Sequence, residues 1–158
     1  MDDLELRKVN IKDIDLIYEW ANDDETRAQS FSTSKISYED HTKWFNDKIV
    51  SEDTLFYIME NKGEPAGTVR LDLKDNTGYI SYSIAPSVRG RGLGVVILKL
   101  LEEKVKEYNK SANDAKKIKK LLGEVKGSNK ASQRIFEFLN YEDDPSDSKD
   151  IKVYTKTV

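Results

Sequence analysis

Residues 84–98 read IAPSVRGRGLGVVIL. Gly90, Gly92 and Gly94 alternate with Arg91 and Leu93, directly after Arg89 and directly before an apolar run. A glycine lets the backbone turn through positive φ or approach another group closely. A helix beginning near Leu93 would open with N–H groups that lack intrahelical partners. These carry partial positive charge and suit an anion. Arg89 and Arg91 add guanidinium forks that match phosphate oxygens. The same stretch could be only a glycine-rich turn with two solvated arginines. Two nucleotide loops fit poorly. No Gly-Lys-Ser/Thr follows, and the third glycine of a G-x-G-x-x-G pattern counted from Gly90 falls on Val95. A pyrophosphate cradle of a different kind is the reading these residues favour.

Composition narrows the remaining chemistry. The chain has no cysteine, which excludes disulfides, thiolate metal sites and cysteine nucleophiles. One histidine, His41, argues against a zinc site. The 26 basic and 29 acidic residues nearly cancel, so there is no general footprint for nucleic acid or membrane. No stretch approaches the ~20 apolar residues of a membrane span. MDDLELRKVN has no apolar signal core, so a cytoplasmic protein is expected. The 158 residues suit a single domain, 1–158, with a real core.

The elements that would position the loop can be read from periodicity. Residues 4–9 alternate as a strand, and Asn10 caps a helix over 11–21. NDDE at 22–25 breaks that helix, and 26–36 are irregular or a weak short helix. Ser37 caps a clearer helix, 38–49. Residues 54–60, 66–73 and 78–85 form an antiparallel meander with short turns. Apolar residues at 93, 96, 97, 100, 101, 105 and 108 predict an amphipathic helix after the glycine loop. A strand over 118–125, a helix over 129–139, a polar loop over 143–150 and a strand over 151–157 complete the chain. The fold class expected is α/β (α+β), with a mixed, mostly antiparallel sheet of about six or seven strands and about four helices. The strand–helix–strand crossover near 84–125 implies one parallel pair.

RGRGLG at 89–94, set between YISYSIAP and an amphipathic helix, resembles the acyl-CoA loop R/Q-x-x-G-x-G/A of the GNAT superfamily of N-acetyltransferases. GEVKGSNKASQRIFEFLNY, 123–141, resembles the strand–turn–helix block that follows it in that superfamily. The two blocks cover roughly half the chain. The resemblance implies acetyl-CoA as cosubstrate, no metal, and a small-molecule amine acceptor, in a monomer or homodimer. It implies that Tyr82, Ser83 and Ile84 at the end of a strand face the pantetheine arm and the thioester. It places Arg89, Gly90, Arg91, Gly92, Leu93 and Gly94 on the pyrophosphate, and Asn129, Ser132 and Phe136 along the cofactor arm. Asn129 is equally a good helix N-cap.

The resemblance also assigns chemistry. Glu124, five residues before Asn129, matches a general-base position, and otherwise is a solvent-facing strand glutamate. The family often has a tyrosine seven residues after that asparagine to protonate the leaving thiolate. Phe136 stands there and has no proton to give. The thiolate then leaves unassisted, takes a proton from water, or takes one from another residue such as Tyr82. Lack of cysteine makes direct attack of the amine on the thioester the natural mechanism. EWANDDETRAQSF and ISYEDHTKWF resemble segments of GNAT enzymes that acetylate nucleotide-linked amino sugars in surface-glycan pathways such as pseudaminic acid synthesis. That resemblance puts Arg27, Ser30, His41 and Trp44 at the acceptor, whereas a lone histidine and a tryptophan on an amphipathic helix also suit a core. Acetylation of a protein N-terminus or a polyamine is the alternative within the family. A non-catalytic acyl-CoA sensor is the alternative outside it.

Overall fold

A computed structural model describes residues 3–145 and 150–158. Seven strands form one sheet: β1 (Leu4–Lys8), β2 (Thr54–Asn61), β3 (Glu64–Lys74), β4 (Thr77–Ile84), β5 (Lys120–Lys126), β6 (Glu142–Asp144) and β7 (Ile151–Thr157). Their order is β1-β2-β3-β4-β5-β7-β6, and among the described residues only the β4–β5 pair is parallel. The helices are α1 (Ile14–Ala21), α2 (Asp24–Gln29), α3 (Tyr38–Val50), α4 (Leu93–Ser111) and α5 (Lys130–Phe138).

Local chemistry accounts for the turns. Two-residue loops join β2 to β3 and β3 to β4. Their central residues, Lys62-Gly63 and Asp75-Asn76, all have positive φ. Such loops match the twist of the flanking strands. Asn10 accepts from the Lys12 N–H at 2.9 Å and Asp13 accepts from the Asn10 N–H at 2.8 Å. That reciprocal cap starts a single 3-10 turn that runs into α1.

Two expectations need correction. NDDE at 22–25 does more than break a helix. The Asp23 carboxylate accepts from the Thr26 N–H at 3.2 Å and caps α2, which begins inside NDDE, ahead of the 26–36 stretch expected to be irregular or a weak short helix. Part of the expected loop 143–150 is strand. Glu142–Asp144 pair with β7, whose outer edge is otherwise open, and Lys152 meets the Asp143 carboxylate at 2.7 Å. Three acidic residues have poor strand propensity, so only the available edge explains them. Residues 146–149 of that loop lie outside the described residues.

Alternation along β2 divides the core. Tyr57 and Met59 face a cluster with Ile97, Leu98, Leu101 and Phe136 from α4 and α5. Phe56 and Ile58 face Ile17 and Phe45 from α1 and α3. The functional feature lies where this sheet opens. The β4–β5 ladder ends at Ile80↔Gly123, but β4 stays paired with β3 through Ile84 and β5 with β7 through Lys126. From Ser81 and Glu124 onward the two strands part. A Cβ on Gly123 would stand 2.4 Å from Phe136 Cζ, so this glycine leaves room for an aromatic ring at the fork.

Candidate active site at the strand fork

The fork opens into a cleft of about 870 Å³. Its lining comes from the end of β4, from β5, from the glycine loop, from the start of α5, and from α2 and the two residues after it.

The three glycines of the loop serve two physical ends. Gly90 and Gly92 have φ of 79° and 75°, and a Cβ on either would meet nothing within 4 Å. They are required by backbone conformation, and they leave open space over the loop. Gly92 is the N-cap of α4 and offers no side chain to its first turn, so those N–H groups remain open to a ligand. Gly94 is required for packing, because a Cβ there would stand 2.6 Å from Ile135 Cδ1 on α5. Leu93 is buried beneath the loop.

Alternation places the remaining groups on two faces of the sheet. Ile80, Tyr82 and Ile84 turn toward the α4–α5 layer, and Ser83 turns away from it. The Tyr82 hydroxyl and Ser132 Oγ are 2.8 Å apart. Burial pushes the Tyr82 phenol up from its ordinary pKa, against a smaller downward pull from Ser132. Tyr82 therefore holds its proton throughout the neutral range. Leu121 and Val125 join the α4–α5 core, so Glu124 between them projects from the opposite face. Glu124 is exposed in the cleft, and its carboxylate has no hydrogen bond or ion pair among the described residues. Asn129 caps α5 by accepting from the Ser132 N–H at 3.2 Å, and it also lines the cleft. Phe136 lies in the core below. It stacks on Tyr154 at 5.4 Å and meets Tyr141 and Tyr82 edge-on.

Several expected ligands are engaged elsewhere. Arg89 lines the cleft, but its guanidinium is bound to Asp23 and Glu25 of the α2 region at 2.5 and 2.8 Å. Arg91 borders a smaller hollow near Asn61 and Glu64, outside the cleft. Arg27 does not line the cleft. Its Nε donates to the Ala21 carbonyl at 2.7 Å, Nη1 to the Ser32 and Ser34 carbonyls, and Nη2 to Ser30 Oγ. It is the internal clamp of the loop after α2. His41 is 2% exposed, and its Nε2 donates to the Ile14 carbonyl at 2.8 Å between α1 and α3. Trp44 packs edge-on against Phe56 and under the Arg70 guanidinium, 4.8 Å away. Of the four residues expected at the acceptor, only Ser30 lines the cleft.

The cleft also contains residues that sequence reasoning missed. Lys126 shares the Glu124 face of β5, which the two-residue period could have revealed, and its Nζ donates to the Ala28 carbonyl at 2.9 Å. Phe31 and Tyr79 border the cleft and stay 56% and 38% exposed. Nothing in their local sequence marks them. Among the described residues, no group of three or more His, Cys, Asp or Glu could hold a metal ion.

The model of the acetyltransferase (GNAT) domain matches residues 3–142. No curated protein is significantly similar in sequence. Among solved structures, spermidine N-acetyltransferase from Vibrio cholerae, in complex with CoA and spermine, is 15% identical with a TM-score of 0.84. That match covers 99% of this chain and 96% of that one. RimL, a ribosomal L7/L12 alpha-N-protein acetyltransferase in complex with coenzyme A, is 15% identical with a TM-score of 0.82, covering 100% and 96%. AAC(6')-Ib, in complex with an aminoglycoside and acetyl-CoA, is 20% identical with a TM-score of 0.80, covering 99% and 94%. At these identities the likeness establishes the fold.

Proposed function

The chain belongs to the GNAT family of acetyl-CoA-dependent N-acetyltransferases, and we propose that it acetylates a primary amine by direct attack at the fork between β4 and β5. The observation that carries this reading is the fork itself. It opens beside a helix N-terminus that no side chain caps.

The residues present fit acetyl-CoA. Gly90 and Gly92 leave open space, and the first-turn N–H groups of α4 would hold the pyrophosphate. The β4 edge beyond Ile80 has left its partner strand, so Tyr82, Ser83 and Ile84 can offer main-chain groups to the arm. Asn129 and Ser132 at the start of α5 would flank the same arm. Arg89 and Arg91 are left out of this assignment: the Arg89 guanidinium is bound to Asp23 and Glu25, and Arg91 borders a separate hollow. Bound acetyl-CoA supplies an activated thioester carbonyl.

Glu124 and Tyr82 divide the proton work. A free alkylammonium has a pKa of roughly 10, so it must lose a proton before it attacks. Glu124, on one face of the fork, accepts that proton directly or through water. Glu124 passes that proton on to water. The amine nitrogen then bonds to the carbonyl carbon, the carbon–sulfur bond breaks, and the nitrogen gives up its second proton to Glu124, leaving a neutral amide. Tyr82, on the opposite face, donates its phenolic proton to the departing sulfur and regains one from solvent water relayed by the Ser132 hydroxyl, 2.8 Å away. Main-chain N–H groups at the end of β4 would stabilise charge on the carbonyl oxygen. Tyr82 thereby takes the role that Phe136 cannot fill.

The acceptor is a small amine that fits a wall containing Glu25, Ser30, Phe31 and Tyr79. A nucleotide-linked amino sugar loses support, since Arg27, His41 and Trp44 are all outside the cleft. A polyamine or a protein N-terminus remains open to Glu124. A non-catalytic acyl-CoA sensor is the second reading, favoured by Phe136. Release of CoA thiol from acetyl-CoA, measured against polyamines, aminoglycosides, nucleotide-linked amino sugars and a peptide with a free N-terminus, tests the proposal. Absence of cysteine keeps the protein's own thiol background low. Turnover with one class supports the reading and names the acceptor. CoA binding without thiol release against any class favours the sensor.

A further inference from the structure

The Arg89 guanidinium spans three groups. Nη2 lies 2.5 Å from Asp23 Oδ2 and 3.2 Å from Thr26 Oγ1, and Nη1 lies 2.8 Å from Glu25 Oε2. The same Asp23 oxygen caps α2 through the Thr26 N–H. One carboxylate therefore fixes both the start of α2 and the end of the donor loop. The far end of α2 is tied to β5 by the Lys126–Ala28 bond. The loop that follows is closed by Arg27 and by a reciprocal pair of bonds between Asn22 and Ile36. The segment 22–36 is thus a braced wall that brings Glu25, Ser30 and Phe31 to the cleft. Arg89 is its contact with the glycine loop.

We propose that Arg89 is a positioning residue. It locks α2 to the glycine loop, so that occupancy of the donor loop orders the amine-side wall of the cleft. This rests on the reading that the loop binds CoA. Planar geometry lets arginine engage both carboxylates at once, which a lysine ammonium cannot reproduce.

The test combines CoA affinity by calorimetry with hydrogen–deuterium exchange of residues 22–36. The variants are Arg89→Met, Arg89→Lys, Asp23→Asn and the double variant Arg89→Met/Asp23→Asn. Asparagine still caps a helix, so Asp23→Asn removes the ion pair and keeps α2. In the unaltered protein, CoA slows exchange across 22–36. Both single variants lose that response and keep CoA affinity within about threefold, and the double variant adds nothing further. Arg89→Lys restores part of the response. A loss of about tenfold or more in CoA affinity in Arg89→Met, with tighter binding in Asp23→Asn, would overturn the proposal and make Arg89 a phosphate ligand. An unchanged exchange response in every variant would also overturn it. Failure of the unaltered protein to bind CoA would instead strike the proposed function. The latch is then judged from the free protein, where both single variants must speed exchange of 22–36 and the double variant must match them.

Discussion

Tyr82 and Glu124 are both strand residues at the fork, yet they project from opposite faces of the sheet. In the proposed reaction that arrangement would let Tyr82 serve the sulfur while Glu124 serves the amine. Tyr82→Phe is expected to lower kcat about 10- to 100-fold with CoA affinity unchanged, which thiol-release kinetics and calorimetry would check. Because burial raises the Tyr82 pKa, its proton is lost only above the ordinary phenol range. Activity should therefore show no falling limb from this group between neutrality and pH ~10. Gly90, Gly92, Gly94 and Glu124 were singled out from local motif spacing in the sequence, and all four line the cleft. The directions of the Arg27, His41 and Trp44 side chains were not legible there. Their partners are the Ala21 carbonyl, the Ile14 carbonyl and the Arg70 guanidinium. No periodicity encodes whether a side chain turns toward a cleft or toward its own backbone.

At the scale of elements, most boundaries followed from caps and turn residues. Asn10, Ser37 and Asn129 each cap where the sequence implied. The exceptions are α2, a six-residue helix held by Asp23, and β6, held by the edge of β7. Both depend on tertiary partners more than on propensity. At the fork the Phe136 ring packs on Gly123 in the space a side chain there would take. Gly123→Ala should destabilise the protein by about 1–3 kcal/mol through overpacking, read as a lowered midpoint in thermal or denaturant unfolding. Because Phe136 can respond only by shifting against Tyr154, Tyr141 and Tyr82, the same change should displace Tyr82 and reduce turnover.

For the whole molecule, ion pairs tie the elements to one another and make stability sensitive to acid. Asp13 is 6% exposed, and burial alone would raise its pKa. Two hydrogen bonds from Arg7 and one from the Asn10 N–H outweigh that burial and hold it below the usual carboxylate range. A carboxylate depressed in the folded state contributes stability that is full above its unfolded value and is lost as pH falls through its folded value. Asp23, depressed mainly by Arg89, adds to the same loss. Stability measured by denaturant titration should therefore fall below about pH 4. Asp13→Asn should remove part of that dependence and cost about 2 kcal/mol at neutral pH. The antiparallel meander and the β4–β5 parallel pair were legible in the sequence, because short turns join the first strands and one long helix between two strands permits parallel pairing. The parting of β4 and β5 was not, since each strand stays paired with its other neighbour and the Phe136 ring packed on Gly123 comes from 13 residues away in sequence. The most direct measurement is acetyl-CoA turnover by the unaltered protein and by Glu124→Gln, with CoA affinity determined for both. The account predicts thiol release with at least one amine, about 100-fold slower in Glu124→Gln at equal CoA affinity. Equal turnover in the two proteins, or CoA binding with no turnover in either, would contradict it.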